Sequence, residues 1–379
     1  MKGRKGKGSY NKDSALIVAS LKTCANHKDL CKGRLIHADL LTKGILENNM
    51  YVGCALVNMY GKCGEIEKAQ EVFDTIPCRN VVVWTSLISG YAQSGFGEEA
   101  LNCFAKMRHE GILPNEVTFL CILKACGSVG ASDKGREIHA EIAREGLLER
   151  SIVIGNALID MYVKCGKLKD AQEVFDELPN WDVVSWNALI SGFVKLNHGE
   201  EALEHFAHMR EEGFSPDEVT FVCILKACGS TKSISMGEEI HGEVGKEGLH
   251  LKNGLVGNAL VDMYVKCSEL EKAQIVFNEL LFRDVVSWNA IIGGYAQHDH
   301  GEEALTCYAR LPSEALYSNP VTYICILKAC ASIKAYGKGK IIHANIQVDG
   351  SMEEDVLLGN ALVDMYGKCG ALSHAQKVF

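Results

Sequence analysis

Apolar side chains recur along this chain with the period of a helix. Leu189, Ile190, Phe193 and Val194 follow i, i+1, i+4, i+5, and after a polar break Ala202, Leu203, Phe206 and Met209 form a second stripe. Ala171, Val174, Phe175 and Leu178 follow i, i+3, i+4, i+7, with Gly166 before that stripe and Pro179 just after it. A side chain every third or fourth residue returns to one face of an α-helix, and glycine and proline mark where such a helix stops. Strict apolar–polar alternation, the signature of a half-buried strand, is missing from the sequence. The pattern predicts an all-α chain of one-sided helices in pairs. A pair of this size cannot bury its apolar face alone and must stack on its neighbours.

The pairs repeat. Trp84, Trp186 and Trp288 stand at one constant interval, and so do the runs Asn156-Ala-Leu-Ile-Asp-Met-Tyr, Asn258-Ala-Leu-Val-Asp-Met-Tyr and Asn360-Ala-Leu-Val-Asp-Met-Tyr. Cys24, Cys126, Cys228 and Cys330 keep the same interval. Each full period holds three units of about 36, 31 and 35 residues, a spacing typical of helical repeat arrays. The long units are 14–49, 116–151, 218–253 and 320–355. The short ones are 50–80, 152–182, 254–284 and an incomplete 356–379, and the intermediate ones are 81–115, 183–217 and 285–319. Residues 1–13 read as a basic tail. Stacked two-helix units predict an α-solenoid, whose hand the periodicity alone leaves open.

The strings Val183-Val-Ser-Trp-Asn-Ala-Leu-Ile-Ser-Gly, Asn156-Ala-Leu-Ile-Asp-Met-Tyr-Val-Lys-Cys-Gly and Ala171-Gln-Glu-Val-Phe-Asp-Glu-Leu-Pro resemble pentatricopeptide repeats of the plant PLS subclass. The resemblance runs from about Ser14 to the last residue. It implies a right-handed α-solenoid and an organellar protein, in the mitochondrion (slightly favoured) or the chloroplast, that binds single-stranded RNA. Members of the subclass mostly specify cytidines for C-to-U editing. Base choice in the family lies with the fifth and the last residue of a motif. Carried over, that rule pairs Thr85 with Asn115, Asn187 with Asp217 and Asn289 with Asn319. In the short units it pairs Cys54 with Asn80, Asn156 with Asp182 and Asn258 with Asp284, and Asn360 opens a further pair. Position two, occupied by Tyr51, Val82, Val153, Val184, Leu255 and Val286, would sandwich bases.

Elementary hydrogen-bond chemistry agrees with the rule. An ionised Asp only accepts, so it suits the N3–H of uracil, whereas an Asn amide can donate to the N3 of cytosine or to adenine. A carboxylate facing the N3 lone pair of cytosine leaves a desolvated acceptor unpaired, at about 1–3 kcal/mol. The pairs then read adenine at Thr85/Asn115 and uracil at Asn156/Asp182, Asn187/Asp217 and Asn258/Asp284. Asn289/Asn319 reads cytosine, with uracil tolerated. Cys54/Asn80 stays open, because a thiol is a poor donor and acceptor. Leu120, Val222 and Ile324 at the fifth position of the long units cannot bond a base edge and act as spacers. The expected core target is N-A-N-U-U-N-U-Y. Asn and Asp just before a helix also serve as helix caps, so capping competes with reading as an explanation.

Composition changes the picture in a few places. A net charge of −9 is unusual for a nucleic-acid binder and argues against indiscriminate polyanion binding. It leaves room for a scaffold that binds proteins, or for an RNA stability or splicing factor with the same binding mode. Lys62, Lys164, Lys266 and Lys368 end the first helix of each short unit, where they could touch phosphates or answer the helix dipole. Most of the sixteen cysteines recur with the array and read as small apolar residues in a reducing compartment. His37, His139, His241 and His343 recur likewise and read as packing residues. Several H-x-E strings occur without the C-x-x-C that a zinc deaminase needs, so neither catalysis nor a cofactor nor a metal is expected of this chain. Any editing chemistry would come from a deaminase-bearing partner or from further residues, because Phe379 falls in mid-helix and the sequence reads as a fragment. No apolar run reaches the ~18 residues of a membrane helix, which predicts a soluble protein.

Overall fold

A computed structural model describes residues 7–46, 49–246, 248–314, 316–348 and 355–378. All regular structure among them is helical. The chain divides into two compact units, Met1–Gly192 and Phe193–Phe379, and the division falls within one helix. In the first unit α1 (Lys7–His27), α3 (Met50–Lys62), α5 (Val81–Gln93), α7 (Glu116–Val129) and α9 (Ile152–Lys164) are the first helices of successive hairpins. Their second helices are α2 (Leu30–Thr42), α4 (Ile66–Thr75), α6 (Gly97–His109), α8 (Ser132–Arg144) and α10 (Leu168–Glu177). Helix α11 (Val183–Lys195) carries the division, and α1 reaches back into the segment read as a tail.

The second unit opens with α12 (Gly199–Glu211) and continues with α13 (Glu218–Thr231), α14 (Ile234–Lys246) and one extra turn, α15 (Leu249–Lys252). Then come α16 (Gly254–Lys266), α17 (Leu270–Glu279), α18 (Val285–Gln297), α19 (Gly301–Arg310), α20 (Pro320–Ser332), α21 (Tyr336–Val348), α22 (Val356–Lys368) and α23 (Leu372–Val378). Within each unit, consecutive first helices pack against one another, and each also packs against its own second helix. None of the described helices is long and apolar enough to cross a membrane.

The core is built from the apolar stripes. Phe73, Phe175 and Phe277 on second helices meet Trp84, Trp186 and Trp288 on the next first helices edge to face, with centroids 4.7, 4.7 and 4.8 Å apart. All six rings are buried. Each such pair adds about 0.5–1.5 kcal/mol beyond the area it buries. His37, His139, His241 and His343 place Nδ1 2.8–3.1 Å from the hydroxyls of Tyr60, Tyr162, Tyr264 and Tyr366 on the following first helix. Burial lowers the pKa of all four imidazoles, so they stay neutral near pH 7 and act as packing residues. Exposed ion pairs such as Lys272–Glu238 and Lys338–Glu302 also link neighbouring second helices, and pairs of this kind contribute little.

Every described cysteine is a free thiol. Cys126, Cys228 and Cys330 are buried, which pushes each thiol up to about 12. Cys165, Cys267 and Cys369 are only half-buried and point Sγ at the carbonyls of Cys126, Cys228 and Cys330.

The hairpin turn within a unit demands a left-handed residue. Gly166 supplies it at φ 69°, and Ser268 takes the same turn at φ 65°. A side chain there crowds the following carbonyl at a cost of about 1–2 kcal/mol. Ser268→Gly is therefore expected to stabilise the α16–α17 hairpin by roughly 1 kcal/mol, read as slower local hydrogen exchange; unchanged exchange would contradict the strain.

Candidate nucleic-acid interface

From α3 onward, each first helix opens on a polar residue whose side chain accepts backbone N–H groups of its first turn. Asn49, Asn80, Asn115, Ser151, Asp217, Asn253, Asp284, Asn319 and Asp355 do so. Asp182 joins them, with Ser185 N–H 2.7 Å from its Oδ1. The first turn of a helix leaves four N–H groups without partners, and a cap that satisfies one of them contributes about 1 kcal/mol. The residues assigned to the last position of the reading units are thus all helix caps.

The caps meet the fifth-position residues. Asn156 Nδ2 donates to Asp182 Oδ1 at 3.3 Å, Asn258 Nδ2 to Asp284 Oδ1 at 3.2 Å, and Asn289 Nδ2 to Asn319 Oδ1 at 3.1 Å. Residues 26 to 30 positions apart are brought together because the hairpin returns the chain to the start of the next first helix. Asn187 is almost fully buried and Asp217 is an exposed cap. Asn360 is exposed on α22.

A third residue was not anticipated. Thr118, Ser185, Thr220, Ser287 and Thr322, the third residue of their units, are completely buried and bond to the caps. Thr322 Oγ1 lies 2.7 Å from Asn289 Oδ1 and 2.9 Å from Asn319 Oδ1, so its single O–H has an amide oxygen of each member of the pair within reach. Thr85 reaches Asn115 only through this residue: its hydroxyl lies 2.7 Å from Thr118 Oγ1. The signal was present as Asn115-x-x-Thr118, Asp217-x-x-Thr220 and Asn319-x-x-Thr322, each a reciprocal capping box. The pair Cys54/Asn80 departs twice, with Val83 in place of the hydroxyl after the cap and Cys54 Sγ resting 3.3 Å from Ser86 Oγ.

Capping dictates what each polar end can still offer. Because Asn319 Oδ1 accepts Thr322 N–H at 2.9 Å, its amide orientation is settled and Nδ2 is the end left to donate. The same holds for Asn115 and Asn80, whose Oδ1 atoms accept from Thr118 N and from Val82 and Val83 N. In Asp182 and Asp284 the capping oxygen is Oδ1, and a carboxylate has only acceptor sites beyond it. Burial pushes the Asp182 carboxyl up, but hydrogen bonds from Ser185, Asn156 and Val184 outweigh it and hold the group below its ordinary value. It is ionised at neutral pH.

Position two is solvent-facing throughout. Tyr51, Val82, Val153, Val184, Leu255 and Val286 are 52–75% exposed. Val117, Val219 and Val321, which hold the same register in the long units and were not singled out from sequence, are 53–54% exposed. One turn separates positions two and five, so both lie on one helix face. The lysines are less available than expected. Lys164, Lys266 and Lys368 reach back to Asp160, Asp262 and Asp364 at 2.6–2.9 Å, while Lys62 lies 3.3 Å from Asn26 Oδ1.

The sequence pattern of the PPR repeat family matches residues 79–128, 181–230 and 283–332, and that of the single PPR repeat matches 54–81, 156–183 and 258–285. This chain belongs to the PPR repeat family. Among plant PPR proteins it is 40% identical to a chloroplastic pentatricopeptide repeat-containing protein of Arabidopsis thaliana, over 84% of this chain and 51% of that one. It is 36% identical to a mitochondrial one of the same plant, over 98% of this chain and 54% of that protein. The chain spans about half the length of these curated relatives. In fold it is similar to PPR10 in complex with an 18-nt psaJ RNA element, with a TM-score of 0.73 at 21% identity, covering 86% of this chain and 49% of that one. Yeast Rmd9p in complex with a 16-nt target RNA gives a TM-score of 0.53 at 11% identity, covering 98% and 87%.

The caps in this PPR array can be tested without RNA. Asp284→Ala removes the bond to Ser287 N–H and is expected to destabilise α18 by about 1 kcal/mol, whereas Asp284→Asn keeps it and costs a few tenths. Urea denaturation of the two variants decides; equal losses would show that capping is not what holds Asp284.

Proposed function

We propose that this PPR array binds single-stranded RNA in an organelle, one nucleotide per reading unit, through the pairs of fifth residue and helix cap. Organellar action is supported by the chloroplastic and mitochondrial proteins among its relatives, and RNA by the complexes of PPR10 and Rmd9p. The observation that carries the reading is the registered contact between the two members of a pair, beside an exposed apolar residue one turn away.

Bases splayed from a single strand offer both faces to apolar contacts and one edge to a hydrogen-bonding pair. Val82, Val153, Val184, Leu255 and Val286 would sandwich the faces, with Tyr51 at the first short unit and Val117, Val219 and Val321 at the spacers. At the edges, Asp182, Asp217 and Asp284 accept the N3–H of uracil, while Asn115 and Asn319 donate to adenine and cytosine. Asn80 belongs with the donors, so the Cys54/Asn80 unit favours a ring-nitrogen acceptor over uracil. The target is N-A-N-U-U-N-U-Y. The long, short and intermediate cycle marks the PLS subclass, and we assign the chain to the specification of C-to-U editing sites, with deamination supplied by a partner or by further sequence.

Replacing the seventh-position U of that RNA by C is expected to weaken binding about tenfold, the equivalent of ~1.4 kcal/mol, and Asp284→Asn should reverse the preference. Equal affinities for both RNAs in the unsubstituted protein would remove the base assignment. The net charge of −9 and the pairing of three lysines with aspartates favour a protein-binding scaffold as the second reading. Failure to crosslink any single-stranded RNA would select it. If Lys266 leaves Asp262 for a phosphate, Lys266→Ala lowers the salt slope of binding by about 0.7. An unchanged slope means that this lysine only neutralises its helix end.

A further inference from the structure

One unit departs from the repeat in a way that builds a different chemistry. Residue 250 is histidine, where the same register holds Leu46, Leu148 and Met352. His250 lies in the extra turn α15 and is 93% buried, with 7% of its surface exposed. Its Nδ1 has no hydrogen-bond partner among the described residues, and its Nε2 lies 3.8 Å from Glu279 Oε2, beyond hydrogen-bond reach. The ring of His241 stands edge-on to it with centroids 5.7 Å apart. One donor atom from each of His241, His250 and Glu279 lies within 4.8 Å of the other two.

We infer that His241, His250 and Glu279 form a binding site for one divalent metal ion of the zinc class. Two imidazole nitrogens and one carboxylate oxygen are a donor set that zinc accepts, with a fourth position for water. Bonds of about 2.0–2.2 Å bring neighbouring donors to roughly 3.3–3.6 Å, so the cluster must contract by about an ångström. Glu279, on the last turn of α17 with half of its side chain exposed, is the arm able to close. The His241 ring is held by the Tyr264 hydroxyl at 2.8 Å on Nδ1, an outer contact of the kind that orients a metal-binding imidazole and leaves Nε2 for the ion. Nothing in this chemistry involves the first-helix row assigned to RNA.

The site would pin α14, the turn α15 and α17, that is, the second helix of a long unit to the second helix of the short unit after it. The first unit of the chain supplies a natural contrast: His139 and Glu177 keep the register of His241 and Glu279, but Leu148 replaces the second imidazole.

The test uses the whole chain, reduced and treated with chelator, then loaded with zinc chloride and dialysed. Metal content by mass spectrometry is expected to be one zinc per chain higher in the unsubstituted protein than in His250→Leu. That variant carries the residue the repeat already accommodates elsewhere, and circular dichroism checks that it folds. The cysteines are the same in both proteins, so thiol-bound zinc cancels. With cobalt(II), the difference spectrum should show d–d bands and no thiolate charge-transfer band. Glu279→Gln should weaken zinc binding at least tenfold. Equal zinc in the unsubstituted protein and His250→Leu, a thiolate band in the difference, or full affinity in Glu279→Gln each overturns the site.

Discussion

The N-terminal cap of each first helix is the constraint on which the rest depends. A helix that starts at a hairpin return exposes N–H groups that must find acceptors, and here one Asn, Asp or Ser side chain supplies them at nearly every unit. Spending one oxygen on the backbone removes rotational freedom from the amide or carboxylate. An amide is left with its donor end and a carboxylate with acceptors. The side chain that starts the helix therefore also carries a fixed hydrogen-bonding polarity, and capping and base choice become two uses of one geometry.

The supporting layers divide the work. First helices carry the caps, the fifth-position residues and the exposed second-position apolar row, and within each compact unit consecutive first helices pack on one another. Second helices supply the aromatic edges against Trp84, Trp186 and Trp288 and the imidazoles against Tyr60, Tyr162, Tyr264 and Tyr366. Rigid placement of the readers thus comes from core contacts made one helix away, while the ion pairs between second helices add little.

Much of this was legible in the sequence because its period is strong. The 3.6-residue stripes and the recurrence of Trp84, Trp186 and Trp288 suffice for an array of helical hairpins, and the recurring histidines sit where packing residues belong. The buried hydroxyls of Thr118, Ser185, Thr220, Ser287 and Thr322 are harder to read from letters, because they touch no base themselves and act only by holding the residues that do. Caps and readers looked like rival explanations, since Asn and Asp suit both and a string of letters does not show which oxygen is engaged. The lysine pairing with Asp160, Asp262 and Asp364 follows the ordinary four-residue spacing and was readable in principle. His250 could not stand out in a search for what repeats, because its chemistry lies in failing to repeat.

The most direct measurement is a crystal structure of the array bound to single-stranded RNA, at a resolution that separates the two ends of each cap. Asp284 and Asn319 are expected to keep Oδ1 on Ser287 N–H and Thr322 N–H while the opposite atom of each faces a base ring nitrogen. Caps released from their helices to reach the RNA, or bases lying away from the pairs Asn258/Asp284 and Asn289/Asn319, would contradict it.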